Sequence, residues 1–130
     1  MKAKGAFEVE LRPLDSSIGH GKGATIGRMV FDKSYRGDLA ARGHGEMLTV
    51  TTEVAGSAGY VAVEKVEGTL QGRSGAFILQ HFGIMSGGKN RLILEVVPHS
   101  GTGDLSGISG KMEILMEDGG HAYDLDFTLE

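Results

Sequence analysis

Apolar and polar residues alternate along most of this chain with a period of two, and no ten-residue segment shows clean helical periodicity. Phe7, Val9 and Leu11 alternate with Glu8 and Glu10, and Pro13 is expected to end that strand. Residues 14–23 read as a loop rich in Ser and Gly. The alternation then predicts strands over 25–36, 45–54, 60–71, 76–85, 91–97, 108–117 and 122–129. Turns are expected at 37–38, 56–59, 72–75, 87–90 and 118–120, each containing glycine. This is the pattern of an all-β chain, read as one domain over residues 1–130. Short connections favour an antiparallel meander, and closing it into a barrel of about eight strands removes its edges. An open β-sandwich is the alternative.

Charged positions indicate which face of each strand is outside, because successive side chains alternate. Lys65 and Glu67 outside place Tyr60, Ala62, Glu64 and Val66 inside. Glu53 outside would place Glu46, Leu48, Val50 and Thr52 inside. Lys111, Glu113 and Glu117 outside would place Met112, Ile114 and Met116 inside. Asp124 and Asp126 are likewise expected outside, opposite Tyr123, Leu125, Phe127 and Leu129. Gln80 and His81 are adjacent, so only one can face the interior; both faces of that strand are apolar, and the choice stays open.

These assignments bring Glu46 and Glu64 inside as candidate ligand-binding groups, with Tyr60, Tyr123 and either Gln80 or His81. A carboxyl in an apolar barrel should have a raised pKa, which suits acid–base work. The competing expectation is that each carboxylate is paired, with Arg28 or Arg73, or sits at a wet rim. Met112, Met116, Leu92, Leu94, Tyr123 and Phe127 would supply an apolar pocket or simply fill the core.

Composition narrows the function classes. The 130 residues carry a formal net charge of −4 and no run of Lys and Arg, which argues against nucleic-acid binding. There is no cysteine, so disulfide and thiolate chemistry are excluded. The N-terminus, MKAKGAFEVEL, has no apolar core of a signal peptide, and no run approaches a membrane-spanning helix, so a soluble, cytoplasmic protein is expected. The 22 glycines exceed twice the roughly 7% average usage and mark bends and bulges in coiled strands.

The five histidines, His20, His44, His81, His99 and His121, show no HxH or HxxxH spacing, and no metal site is expected. The triplet His44-Gly45-Glu46 reads as a solvated turn, and His20 and His121 as exposed. The stretch IGHGKGATIG lacks the GK[ST] of a phosphate loop, and no serine sits in a GxSxG elbow. No cofactor is implied.

The strands over 76–85 and 91–97 are apolar on both faces. Ala76, Ile78, Phe82 and Ile84 oppose Phe77, Leu79 and Met85; Leu92, Leu94 and Val96 oppose Ile93 and Val97. A barrel wall has one interior, so one set must lie outside, and a homo-oligomer, dimer or trimer, is expected to cover it.

The stretch Gly101-Thr102-Gly103-Asp104-Leu105-Ser106-Gly107 with Ile108-Ser109-Gly110, ahead of an alternating strand, resembles the glycine motif of allene oxide cyclase-like and dirigent-like barrels. Nearly the whole chain more closely resembles DUF3224, a bacterial family of uncharacterised proteins. The segments that carry this are Gly45-Glu46-Met47-Leu48, Gly56-Ser57-Ala58-Gly59-Tyr60-Val61-Ala62-Val63-Glu64, Gly72-Arg73-Ser74-Gly75-Ala76-Phe77, Leu79-Gln80-His81 and Ser100-Gly101-Thr102-Gly103. The resemblance implies an allene oxide cyclase-like antiparallel barrel and no established activity; no catalytic position carries over. The expected function is binding of a small hydrophobic or amphipathic molecule in the barrel. The alternatives are an isomerase or cyclase acting on an oxygenated hydrophobic substrate, and a structural oligomer-forming barrel.

Overall fold

The computed structural model describes residues 1–19, 21–117 and 119–130; the expectation for His20 and the Asp118 position of the last turn lie outside them. Among the described residues nine strands form: β1 (Lys2–Leu14), β2 (Ala24–Gly37), β3 (Leu39–Thr52), β4 (Ala58–Leu70), β5 (Arg73–Ser86), β6 (Lys89–Val96), β7 (Thr102–Gly103), β8 (Ser109–Glu117) and β9 (Gly120–Thr128). All belong to one antiparallel sheet. Eight of them close into a barrel in the order β1-β2-β3-β4-β5-β6-β8-β9, with β9 returning to β1. The short β7 pairs with the start of β5 outside the ring. No helix among the described residues is long and apolar enough to cross a membrane.

Most strand ends lie one to three residues from the pattern-based expectation, and three departures go further than that or change the plan. β3 begins at Leu39, six residues early, although Leu39-Ala-Ala-Arg-Gly-His carries little β-preference. Ladders to β2 on one side and β4 on the other hold that segment extended. Pro13 does not end β1, which runs on to Leu14. Beyond Phe7, β1 pairs only with β2, so Pro13 sits on an unpaired side where its missing N–H is tolerated. The third is β7, two residues of ladder within a segment rich in glycine.

The two ends of the barrel differ. At one end the connection over 97–108 folds back and buries Leu105 and Ile108 against Leu39, Leu70, Phe77 and Phe127. Toward the other end β6 and β8, paired only at Leu94–Met112 and Glu95–Lys111, separate, and β1 has lost contact with β9. Inward positions become half-buried or exposed there: Met29, Met47, Tyr60 and Ile114 are half-buried, while Leu11 and Leu92 are exposed. The barrel is plugged at the first end and open at the second.

Inward assignments hold on β4, where Ala62, Glu64 and Val66 are buried and Lys65 and Glu67 are exposed. They fail on β3. Gly43, Gly45 and Met47 face inward, and Glu46, Leu48 and Val50 face outward. Glu53, which set the expected phase, lies beyond the strand end at Thr52 and so carries no information about its faces. On β8 Met112 is buried, but Met116 is 74% exposed because the hairpin projects past the rim. Glu113 and Asp126 are exposed as expected; Asp124 is only half exposed. His121, expected in solvent, is half-buried and stacks on Phe7 at 5.0 Å.

Candidate functional site

On β2, Phe31, Lys33 and Tyr35 share the inward face, alternating with Asp32 and Ser34. This places a lysine among aromatic rings, with its Nζ 4.8 Å from the Phe7 ring centre, 5.5 Å from Phe31 and 5.6 Å from Tyr35. Two strands away, β4 directs Glu64 at the same point. Glu64 is 0% exposed and Lys33 6%. Lys33 Nζ donates to Glu64 Oε1 at 3.1 Å, and the Tyr35 hydroxyl donates to Oε2 at 2.5 Å. His81 on β5 faces inward, which resolves the open choice against Gln80; its Nε2 lies 2.9 Å from Glu64 Oε1.

Space for this cluster is made by glycine. A Cβ on Gly43 would collide with Glu64 Oε2, and one on Gly45 would lie 2.5 Å from both Phe31 Cζ and the Val63 carbonyl oxygen. The inward face of β3 is thus left bare so that Glu64 and Phe31 can fill it. Gly83 stands in the same relation to the Tyr60 ring.

The cluster extends toward the open end through Tyr60. Its hydroxyl is 3.4 Å from His81 Nδ1, and its ring meets the imidazole edge-on at 6.1 Å. The result is a row from Lys33 through Glu64 and His81 to a half-buried phenol.

Burial alone would raise the Glu64 pKa. The His81 hydrogen bond, the Lys33 ammonium and the Tyr35 hydroxyl outweigh it, and the carboxyl is held below its ordinary value. The expectation of a raised carboxyl is thereby overturned: Glu64 is an ionised anchor, not a proton carrier near neutral pH. Burial, then the Glu64 charge and hydrogen bond, push Tyr35 well above the usual phenol value. Burial followed by the Glu64 charge pushes Tyr60 up to about 12, so its hydroxyl keeps its proton.

The other candidates lie elsewhere. Glu46 is on the outer face, 58% exposed, and pairs with Arg28 at 2.9 Å. Of the two arginines considered as carboxylate partners, Arg28 thus serves Glu46, while Glu64 uses Lys33. Gln80 is outside and exposed. His44 is exposed, with Nδ1 2.7 Å from Asp32 Oδ1. Tyr123 is buried, but its hydroxyl accepts from the Leu39 N–H at 2.8 Å and lies 3.0 Å from the Arg36 carbonyl oxygen it donates to. That fastens the β2–β3 turn at the plugged end. Leu92 and Met116, expected in the lining, are exposed; Leu92 still approaches Gly83 from the inner side. Lys33 and Tyr35 escaped the sequence reading. Their signal was present as Phe31-x-Lys33-x-Tyr35, a cation in phase with two aromatics.

The model of the family described as a protein of unknown function, DUF3224, matches residues 3–127. The chain belongs to the DUF3224 family. A crystal structure of a DUF3224 protein of unknown function from Shewanella oneidensis MR-1 is 52% identical. The match covers 100% of this chain and 97% of that one, with a TM-score of 0.97. No curated protein matches. Membership in DUF3224 therefore fixes the barrel and leaves the chemistry to be argued from the site.

Proposed function

We propose that this barrel binds a small hydrophobic or amphipathic molecule in its open end, with the molecule's polar group on Tyr60 and His81. One observation carries the reading. Lys33, Glu64 and Tyr35 are tightly paired, whereas the contact between Tyr60 and His81 is long, at 3.4 Å. The half-buried phenol is a protonated group loosely held beside an otherwise closed network, at the level where Met29, Met47 and Leu92 line the opening. Methionine side chains adapt to varied apolar shapes, and a few fixed polar groups within an apolar lining are the usual make-up of a small-ligand site. A cytoplasmic location, which the cysteine-free composition permits, belongs to the same reading.

The isomerase or cyclase reading draws on a different feature, the carboxylate–imidazole–phenol row itself. In it Glu64 orients His81, and proton movement takes place at Tyr60. Neither Glu46, which is outside, nor an ionised Glu64 serves as the acid.

Native mass spectrometry of protein freshly purified from its host tests binding directly. A retained small molecule, lost or reduced in Tyr60→Phe and in Met47→Arg, is the expected result. Protein that retains nothing, and that binds anilinonaphthalene sulfonate equally well with and without Met47→Arg, would end the proposal.

A further inference from the structure

We propose that the outer wall over β3, β4, β5 and β6 is the face on which a second copy of this chain docks, about a two-fold axis running along one row of side chains. The row is set by the ladders: Leu48 is opposite Val61, Val61 opposite Phe82, and Phe82 opposite Ile93. All four point away from the core and are exposed, at 37%, 50%, 38% and 42%. A continuous apolar row across four strands is the kind of patch that monomers seldom leave in water.

Charge chooses the occupant and the axis. On β6, Arg91 and Glu95 lie two residues to either side of Ile93, on the same outer face. Neither makes an ion pair among the described residues, and the Arg91 guanidinium lies over the Phe82 ring at 5.5 Å. An axis along the row turns the partner's strands antiparallel to these. Phe82 then meets the partner's Phe82, and each Arg91 meets the partner's Glu95, twice per dimer. The alternative axis, parallel to the strands, would set each Arg91 against the partner's Val50, and each Glu95 against a Glu46 whose charge Arg28 already takes up. The patch is therefore self-complementary about the axis along the row and not about the axis along the strands, and two-fold closure limits the assembly to two copies.

Sedimentation equilibrium at micromolar concentration tests this. Wild-type protein should show twice the chain mass. Phe82→Glu should weaken self-association by at least about tenfold, as expected for a charge placed at the centre of an interface. Because Phe82 is exposed, far-UV circular dichroism of this variant should be unchanged. Arg91→Glu and Glu95→Arg should each weaken the dimer, and the double variant should restore it. A monomer mass would hand the wall to some other partner and overturn the proposal; so would a mass of three copies. A double variant no stronger than either single change would overturn the axis.

Discussion

The wall around β1 and β9 and the wall around β4 and β5 share a core of Phe7, Tyr123, Val66 and Leu79 but differ toward the middle of their strands. On the first, Phe7, Tyr123, Leu125 and Phe127 face the core, and Lys4, Asp124 and Asp126 face outward. On the second, Glu64 and His81 are buried inside, and Val61, Val63, Phe82 and Ile84 are exposed outside. Both obey the same period of two. The difference shows that alternation fixes that two faces exist, and not which one is wet. A barrel inverted all the way round would suit a lipid surround. Here the wall is not inverted all the way round, since Lys4, Asp124 and Asp126 face outward on the other side. A half-inverted barrel instead calls for one polar purpose inside and one apolar partner outside, on the same strands.

The largest effect should come from breaking the inside of the inverted half. Glu64→Gln strands a buried Lys33 without its counter-charge and should lower stability by about 3–5 kcal/mol in urea unfolding. The pair Lys33→Met with Glu64→Leu removes both charges and should recover most of that loss, because a desolvated ion pair adds little over well-packed apolar groups. If the double variant were as unstable as the single one, hydrogen bonding to Tyr35 and His81, not charge pairing, would be what Glu64 chiefly contributes. The same variants carry a pH signature. The folded-state pKa of Glu64 is depressed, so its contribution is complete above the ordinary carboxyl value of 4.5 and is lost as pH falls below it. Melting temperature against pH should therefore fall more steeply on the acid side in wild type than in the double variant.

Next comes the bare inner face of β3. Gly45→Ala would set a methyl group 2.5 Å from the Val63 carbonyl oxygen, a backbone atom held in the β3–β4 ladder. Forced overpacking of this kind costs about 1–3 kcal/mol. A thermal melt unchanged by Gly45→Ala would mean that the β3–β4 ladder shifts at Val63 as freely as Phe31 moves aside, and that the interior is looser than its contacts suggest.

How much of this was legible in the sequence depended on where the informative charges fell. Lys65 and Glu67 lie inside β4 and in phase with it, so the buried position of Glu64 could be read directly. Glu53 lies past the end of β3, and the phase taken from it turned the strand over. β5 has no charged residue between Arg73 and Ser86 apart from its ambiguous histidine, so neither face could be chosen before closure supplied Glu64. The partner of Glu64 was legible only in part. Lys33 is 31 positions away, and two ladders bring it there, a relation that no local pattern encodes.

The smallest effect sharpens the comparison between two carboxylates that looked alike in sequence. Glu46 stands on the outer face with Arg28 at 2.9 Å, and more than half of its side chain is in water. Exposed pairs of this kind contribute about 0–1 kcal/mol, because solvent screens the attraction and two long side chains must be held still. Glu46→Gln should therefore shift the urea midpoint only slightly, and added salt should erase even that difference. Glu64→Gln should keep its full penalty at the same salt, since no ions reach a carboxylate enclosed by Lys33, Tyr35 and His81. Salt-dependent unfolding of the two variants side by side decides it. Equal salt sensitivity would mean that water reaches Glu64 through the open end, and the inner row would then be a wet site at rest, not a closed network with one loose phenol.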